Sequence, residues 1–256
     1  MVKTAVIIQS NYIPWRGYFD LIGQADELLI LDNVQYTKQD WRNRNIIKTA
    51  KGPQWITIPV LGHFGQAIDQ VRIAEPRWFV KHVRTLETNY RKAAAYDSIA
   101  PWLFNLYSDL AGEKSLSACN WHLIAQISAK LGITTPMRRA DEILPRQTMS
   151  DAEPTQRLVE LCQAVGATRY LSGPSARTYM DMARFRAAGV DVVWMDYEGY
   201  PDYPQLGDGF LPHVSVVDLL FNCGDRASDY LAPRFAASAP TTIPQTGLRH
   251  ASLSQK

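Results

Sequence analysis

A chain of 256 residues with 27 Lys and Arg against 25 Asp and Glu carries a formal charge of +2. With no long basic stripe, it lacks the electrostatic footprint of a DNA binder, and its length suffices for a substantial core in one large or two small domains. Cys119, Cys162 and Cys223 have no paired spacing, which excludes a disulfide framework or a Cys-based zinc site and fits a reducing compartment. No apolar run approaches the roughly 20 residues of a membrane span. The opening MVKTAVIIQS enters a strand with no room for a secretory apolar region, so a cytoplasmic protein is expected.

The stretch from Val6 to Asn45 organises the reading. An apolar run, Ala5 to Ile8, breaks at Ser10-Asn11 and Pro14; a periodic segment with Tyr18, Leu21, Ile22 and Ala25 on one face leads to a second apolar run, Leu28 to Leu31. Strand, loop, helix and strand follow from that pattern. Two such strands joined by a helix pair in parallel, so the loops after them open at one edge of the sheet, where ligands of open α/β sheets bind. Those loops hold Gln9, Tyr12, Pro14, Trp15 and Arg16, then Asp32, Gln35, Tyr36, Lys38, Trp41, Arg42, Asn43 and Arg44, unusual residues for mere connectors.

Ile46 to Lys48 and Trp55 to Pro59 flank the turn signal Lys51-Gly52-Pro53 as a hairpin, and 62–66 is a loop. From Pro76 a helix runs with Phe79, Val83, Leu86 and Tyr90 at helical spacing and Trp78, His82, Thr85 and Asn89 on the neighbouring stripe. Tyr96 to Leu110 and Leu116 to Leu131 are further helices, ended by Gly112 and Gly132, with Ser117 as the expected N-cap of the second. Residues 77–131 thus form a helical insertion that either covers the sheet or stands beside the site. Alternation resumes with a strand at Thr134 to Met137, a helix from Asp151 to Gly166, a strand at Arg169 to Leu171, a helix from the turn at Ser172-Gly173-Pro174-Ser175 through Ala188, and a buried strand at Val190 to Met195. A Tyr-, Gly- and Pro-rich connection, Asp196 to Pro212, carries Tyr197, Tyr200, Tyr203 and Gln205. Ser215 then caps a short apolar helix ending at Gly224, with Asp218 inside it. The expected whole is one α/β domain over 1–232 with a Rossmann-like, mostly parallel sheet, and a flexible tail over 233–256 where Ser, Thr, Pro and Ala accumulate.

The segments QSNYIPWRGYFDLI, DNVQYTKQDWRNRNII, WITIPV, WFVKHVRTLETNY, YLSGPSARTYM, YEGYPDYPQ and SVVDLLFNCG, in order across residues 9–224, resemble the WbqC-like family, associated with O-antigen, other polysaccharide and secondary-metabolite gene sets. The resemblance implies a sugar-pathway transferase that moves a glycyl-type amino-acyl or other acyl group to the amine of a nucleotide-linked amino sugar. Its donor is open among acyl carrier protein, aminoacyl-tRNA, coenzyme A and an adenylate, and the cofactor is likewise open. A weaker resemblance, in fold, is to adenylyl- and cytidylyl-transferases, whose H-x-G-H motif is matched here by Trp15-Arg16-Gly17-Tyr18. Gly17 would let an anion approach the helix N-terminus, yet both histidines are absent and nucleotidyl transfer by that route is not expected. A binding module that keeps the nucleotide fold and engages a nucleotide, carrier protein or partner enzyme without catalysis is the alternative.

Two guanidinium groups flanking an amide in Trp41 to Asn45 suit a phosphate or carboxylate, with Trp41 stacking on a base or sugar; a solvated surface turn is the plainer account. Among the histidines, His82 is the best placed to deprotonate an attacking amine, although a lone helix histidine is more often a packing residue. Asn43 with Arg44 is assigned to the oxyanion. Gln9, Tyr12, Trp15, Tyr18, Asp32, Gln35, Trp41, Arg42, Trp78, Tyr90, Tyr197, Tyr203, Gln205 and Asp218 form the expected substrate-binding set. Asp218, a carboxylate in an apolar run, must be paired or hydrogen-bonded, whether as a ligand residue, a loop cap or a partner of Arg42 or Arg44. Cys119 near a helix start is a weak nucleophile candidate. No spacing of His and carboxylates suggests a metal.

Overall fold

A computed structural model describes residues 2–232; the tail expected from about residue 233 lies outside the described residues. Strand β1 (Thr4–Ile8), helix α1 (Arg16–Gly23) and strand β2 (Glu27–Ile30) form the opening unit, and β1 and β2 pair in parallel with Val6 opposite Leu28 and Ile8 opposite Ile30. An antiparallel hairpin follows, β3 (Arg44–Thr49) with β4 (Gly52–Thr57), turned at Gly52 with φ +100°, a left-handed conformation that glycine adopts without steric cost. Beside it, β5 (Val60–Leu61) pairs with β6 (Arg72–Ile73). Helices α2 (Trp78–Tyr90), α3 (Tyr96–Asp109) and α4 (Leu116–Lys130) come next, then β7 (Met137–Arg139), α5 (Arg146–Asp151), α6 (Pro154–Ala164), β8 (Arg169–Ser172), α7 (Met182–Ala187), β9 (Asp191–Trp194) and α8 (Val216–Cys223).

The main sheet is five-stranded and parallel in the order β7-β2-β1-β8-β9. This is the Rossmann-like α/β arrangement. Successive side chains of a strand point to opposite faces, so Val6, Leu28 and Ile30 pack on one side with α1 to α4 and α8, while Ala5, Ile7, Leu29 and Leu31 pack on the other with α5 to α7. The helical segment shares a continuous core with α1 through Leu86, Leu103, Leu123, Ile124 and Ile127. It joins the core on that face of the sheet, with α2 bonded to the β3–β4 hairpin through Tyr90 and His82. Strand order reverses between β1 and β8, and the carboxyl ends of these two strands flank the crevice that such a reversal leaves.

Several boundaries differ from expectation for local reasons. The strand expected at Thr134 to Met137 begins at Met137: Pro136 lends its carbonyl to Leu28 N but has no N–H of its own to pair. Pro154 starts a new helix capped by Glu153, which splits the segment expected from Asp151 to Gly166. After Ser172 the chain makes a 3₁₀ turn over Pro174–Thr178, and only Asp181, accepting from Ala183 N at 2.9 Å, caps an α-helix. Strand β9 is a partly exposed edge rather than a buried strand. Ser115, not Ser117, caps α4, its hydroxyl accepting from Ala118 N. On α2 the buried stripe is Trp78, His82, Leu86 and Tyr90, with Phe79 and Val83 half-buried, because Trp78 and His82 meet the rings of Tyr12 and Tyr107.

Candidate functional site

At the carboxyl edge of the sheet lies a cleft of about 250 Å³ lined by Asn11, Pro14, Trp15, Trp41, Asn45 and His213. Its inner wall is Trp15, whose indole meets the rings of Tyr197 at 5.1 Å and His213 at 5.3 Å between centroids. Its outer wall is Trp41, 42% exposed, backed by Trp55 at 5.2 Å, with the Arg44 guanidinium lying 4.1 Å from the centre of the Trp55 ring. The turn that carries Asn11 to Trp15 is held in an unusual conformation. Ile13, a buried β-branched residue, has φ +34°, a backbone state that such side chains rarely adopt. Three side-chain bonds hold it there: Asn45 Nδ2 donates to the carbonyls of Tyr12 at 3.1 Å and Ile13 at 3.0 Å, and Ser215 Oγ donates to the Ile13 carbonyl at 2.7 Å.

Beside the cleft, Arg42 reaches inward. Its guanidinium donates to Gln9 Oε1 at 3.0 Å and to Asn11 Oδ1, with Asp40 3.7 Å away. Asp32 lies buried at the end of β2, accepting from Ser10 N at 2.8 Å and from the Ser117 hydroxyl, and burial raises its pKa. Asn120 Nδ2 ties this corner together by donating to the Arg42 carbonyl at 2.8 Å and to Ser10 Oγ at 3.2 Å. Tyr18 donates its hydroxyl to the Gln9 carbonyl at 3.0 Å.

The sequence pattern of the WbqC-like protein family matches residues 9–230. The chain belongs to this family. It is also similar to the uncharacterized protein Rv1507c of Mycobacterium tuberculosis, 48% identical over 232 residues that cover 90% of this chain and 98% of that protein. No solved structure matches. The family match begins at Gln9, in the corner just described, and runs through the cleft and beyond α8.

The residues expected to form one site separate into three groups. Gln9, Trp15, Tyr18, Asp32, Trp41, Arg42 and Tyr197 gather at the sheet edge, although Asp32 is fully buried and committed to Ser10 and Ser117. A second group is a buried aromatic cluster under the turn. His82 Nε2 donates to the Thr57 carbonyl at 3.0 Å, so Nδ1 accepts from the Tyr12 hydroxyl at 2.7 Å, and Tyr12 in turn accepts from Tyr107. Trp78 packs on the same rings. Both imidazole nitrogens are engaged and burial pulls the His82 pKa down to about 4, so the ring sits neutral below the cleft. A third group surrounds Asp218, whose carboxylate accepts from Tyr90, Tyr203 and Gln205, each at 2.8 Å. Its side-chain partners are these three and Asn222 Nδ2 at 3.3 Å, and neither Arg42 nor Arg44; it fastens the 196–212 connection to α2 and α8.

Other residues stand apart. Asn43 is buried, donating to the Ile58 carbonyl at 2.8 Å and accepting from the Tyr36 hydroxyl at 3.1 Å. Arg44 lies outward on Trp55 and bonds the Gln39 carbonyl, so the two arginines of the Trp41 to Asn45 run diverge. Gln35 is exposed and bridged through its backbone to Ala67. The indole of Trp15 lies against Gly17, so the expected approach of an anion to the start of α1 is filled by this ring. Arg16 is buried under Tyr200 and Tyr203 with Nη1 on the Pro201 carbonyl at 2.8 Å. The Cys119 thiol is fully buried and its pKa is pushed up by burial, which removes it as a nucleophile.

Asn11, Asn45, Ser215 and His213 were not singled out for the site by sequence. Asn11 carried a signal, sitting with Ser10 directly after β1; His213, exposed at the end of a Tyr-rich connection, carried none. Among the described residues no three His, Cys, Asp or Glu lie close enough to hold a metal ion, and no helix is long and apolar enough to cross a membrane.

Proposed function

We propose that the chain is a cytoplasmic transferase of polysaccharide or secondary-metabolite biosynthesis that moves an amino-acyl (glycyl-type) or other acyl group to the amine of a nucleotide-linked amino sugar. The observation that carries this reading is a pair of indole walls, Trp15 and Trp41, with the exposed His213 between the same surfaces of one cleft. At about 250 Å³ the cleft is below the roughly 300 Å³ of pockets that enclose a drug-sized ligand whole. It therefore takes one ring of a longer molecule, and the remainder extends over the neighbouring polar corner.

In this proposal the amino sugar lies between Trp15 and Trp41 and its amine attacks the carbonyl of an activated acyl donor. The new C–N bond forms, the ammonium proton passes to His213, and the donor's ester, thioester or acyl-phosphate oxygen or sulfur leaves with the bonding pair. Holding amine and carbonyl together supplies much of the rate, on the order of 7 kcal/mol in favourable cases. Arg44, packed on Trp55 behind the Trp41 wall, is the cation proposed for the oxyanion and must turn inward to reach it. His82 is a positioning residue: its ring holds Tyr12, which precedes the strained Ile13.

The test is acyl transfer to a panel of nucleotide-linked amino sugars under single-turnover conditions. His213→Ala is expected to lose about 10²-fold or more in rate, as for a general base, with a smaller loss for His82→Phe. An unchanged rate in His213→Ala overturns the assignment. Tight nucleotide binding with no turnover on any acceptor favours the non-catalytic binding module, a reading supported by the exposure of Trp41 and Trp55 at the surface.

A further inference from the structure

The contact between Arg42 and its two amide partners determines which way those amides point. A guanidinium has only donors, so Gln9 and Asn11 must present their oxygens to it, and their NH2 groups face away. Neither NH2 group has an acceptor among the described residues, and both side chains are partly exposed. Arg42 itself has further N–H groups beyond the two spent on these oxygens. Its guanidinium is held at contact distance by neutral oxygens, and the one carboxylate within ion-pair range, Asp40, sits at 3.7 Å and accepts from Trp41 N at 2.7 Å. The other nearby acid, Asp32, has its two oxygens committed to Ser10 N and the Ser117 hydroxyl. A cation flanked by two amides whose NH2 groups lack an acceptor, at the edge of a parallel sheet, offers several donors to an extended oxyanion.

We propose that Gln9, Asn11 and Arg42 bind the diphosphate of the substrate, a placement that rests on the sugar-nucleotide reading above. Asn11 also lines the cleft, so a diphosphate on this corner adjoins a ring between Trp15 and Trp41. A diphosphate, rather than a carboxylate, matches three separate donor groups spread across two loops. Arg44, turned out onto Trp55, takes no part in this contact.

Titration calorimetry on the full chain with pyrophosphate, and in parallel with inorganic phosphate and acetate, tests the site. Pyrophosphate is expected to bind most tightly. Asn11→Asp, which keeps an oxygen for Arg42 but replaces the donor amide by a like charge, is expected to weaken it about tenfold or more, as is Arg42→Gln. Asp40→Asn, which removes the competing carboxylate, is expected to tighten it several-fold and keeps the test open if Asn11→Asp fails to fold. Absence of saturable pyrophosphate binding at millimolar concentration, equal binding by Asn11→Asp, or acetate binding as tightly as pyrophosphate overturns the site. Pyrophosphate binding lost in Asn11→Asp, with no acyl transfer to any amino sugar, leaves the site standing and sinks the transferase reading. Transfer to a phosphate-free amino sugar as fast as to its nucleotide-linked form, without pyrophosphate binding, does the reverse.

Discussion

Tyr12, His82 and Tyr107 form a hydrogen-bonded chain under the cleft floor in which the imidazole is neutral. Its pKa is pulled to about 4 from the ordinary 6.5 by burial, so between these values the unfolded chain binds a proton that the folded chain does not. Stability from this group is therefore complete above about pH 6.5 and is lost as pH falls toward 4, by on the order of 3 kcal/mol at 1.36 kcal/mol per pKa unit. Burial raises Asp32 and Asp218, whose contribution runs the opposite way as pH falls. Urea unfolding of His82→Phe is expected to fall below the parent at pH 7 and to close that gap by pH 4.5; a constant gap would place the titration elsewhere. Holding Ile13 at φ +34° costs about 1–3 kcal/mol, and Asn45, with Ser215, is what holds it. Asn45→Ala is expected to lower stability by about 2 kcal/mol and to move the Trp15 resonance in fluorotryptophan-labelled protein. An unmoved Trp15 signal would show that the turn keeps its shape without Asn45.

Among the elements, α1 and α8 set the cleft from opposite ends. Helix α1 begins with Trp15 folded onto Gly17, and a Cβ at Gly17 would overlap the indole carbons. Gly17→Ala is therefore expected to displace the inner wall and weaken ring binding while the helix persists, since Ala is the better helix former; binding equal to the parent would show that Trp15 has room to shift. Helix α8 begins at Ser215, whose hydroxyl both accepts from Val217 N and donates to the Ile13 carbonyl, and three residues on it carries Asp218. Replacing Asp218 by Ala strands the hydroxyls of Tyr90 and Tyr203 in the core. A loss of about 3–5 kcal/mol is expected, as for other broken buried networks, together with faster proteolysis within 196–212. Asp218→Asn, which keeps the acceptor oxygen, is expected to lose less.

Over the whole molecule, the core on one face of the sheet runs without a break from Val6 and Leu28 through α1, α2, α3 and α4 to Leu220 and Phe221 of α8. Helices that share one core unfold with it. Calorimetry is expected to give a single transition with matching calorimetric and van't Hoff enthalpies; two resolved transitions would mark residues 77–131 as a separate folding unit.

How much of this was legible in the sequence depended on the range of the interaction. The apolar runs of β1 and β2, the helical period between them, the hairpin turn at Gly52 and the cap at Ser215 are local, so the opening parallel unit and its site-bearing edge could be read from neighbours in the chain. The need of Asp218 for partners was legible too, because an apolar run makes a lone carboxylate costly wherever it folds. Which partners it takes was not: Tyr90 lies 128 positions away. The divergence of Arg42 and Arg44 escaped sequence because only Arg44 belongs to β3, so no strand period governs the pair. His82 showed its helical face but not the Tyr12 hydroxyl and Thr57 carbonyl that occupy its nitrogens. The Ser215 to Ile13 bond spans 202 positions, and His213 meets Trp15 only because that bond and the neighbouring β3 contacts bring α8 to the turn. Local propensity and solvent exclusion were decided by the sequence alone; which polar groups face the cleft and which are consumed beneath it was decided by tertiary packing, since a donor's availability depends on every partner the fold brings within hydrogen-bond reach.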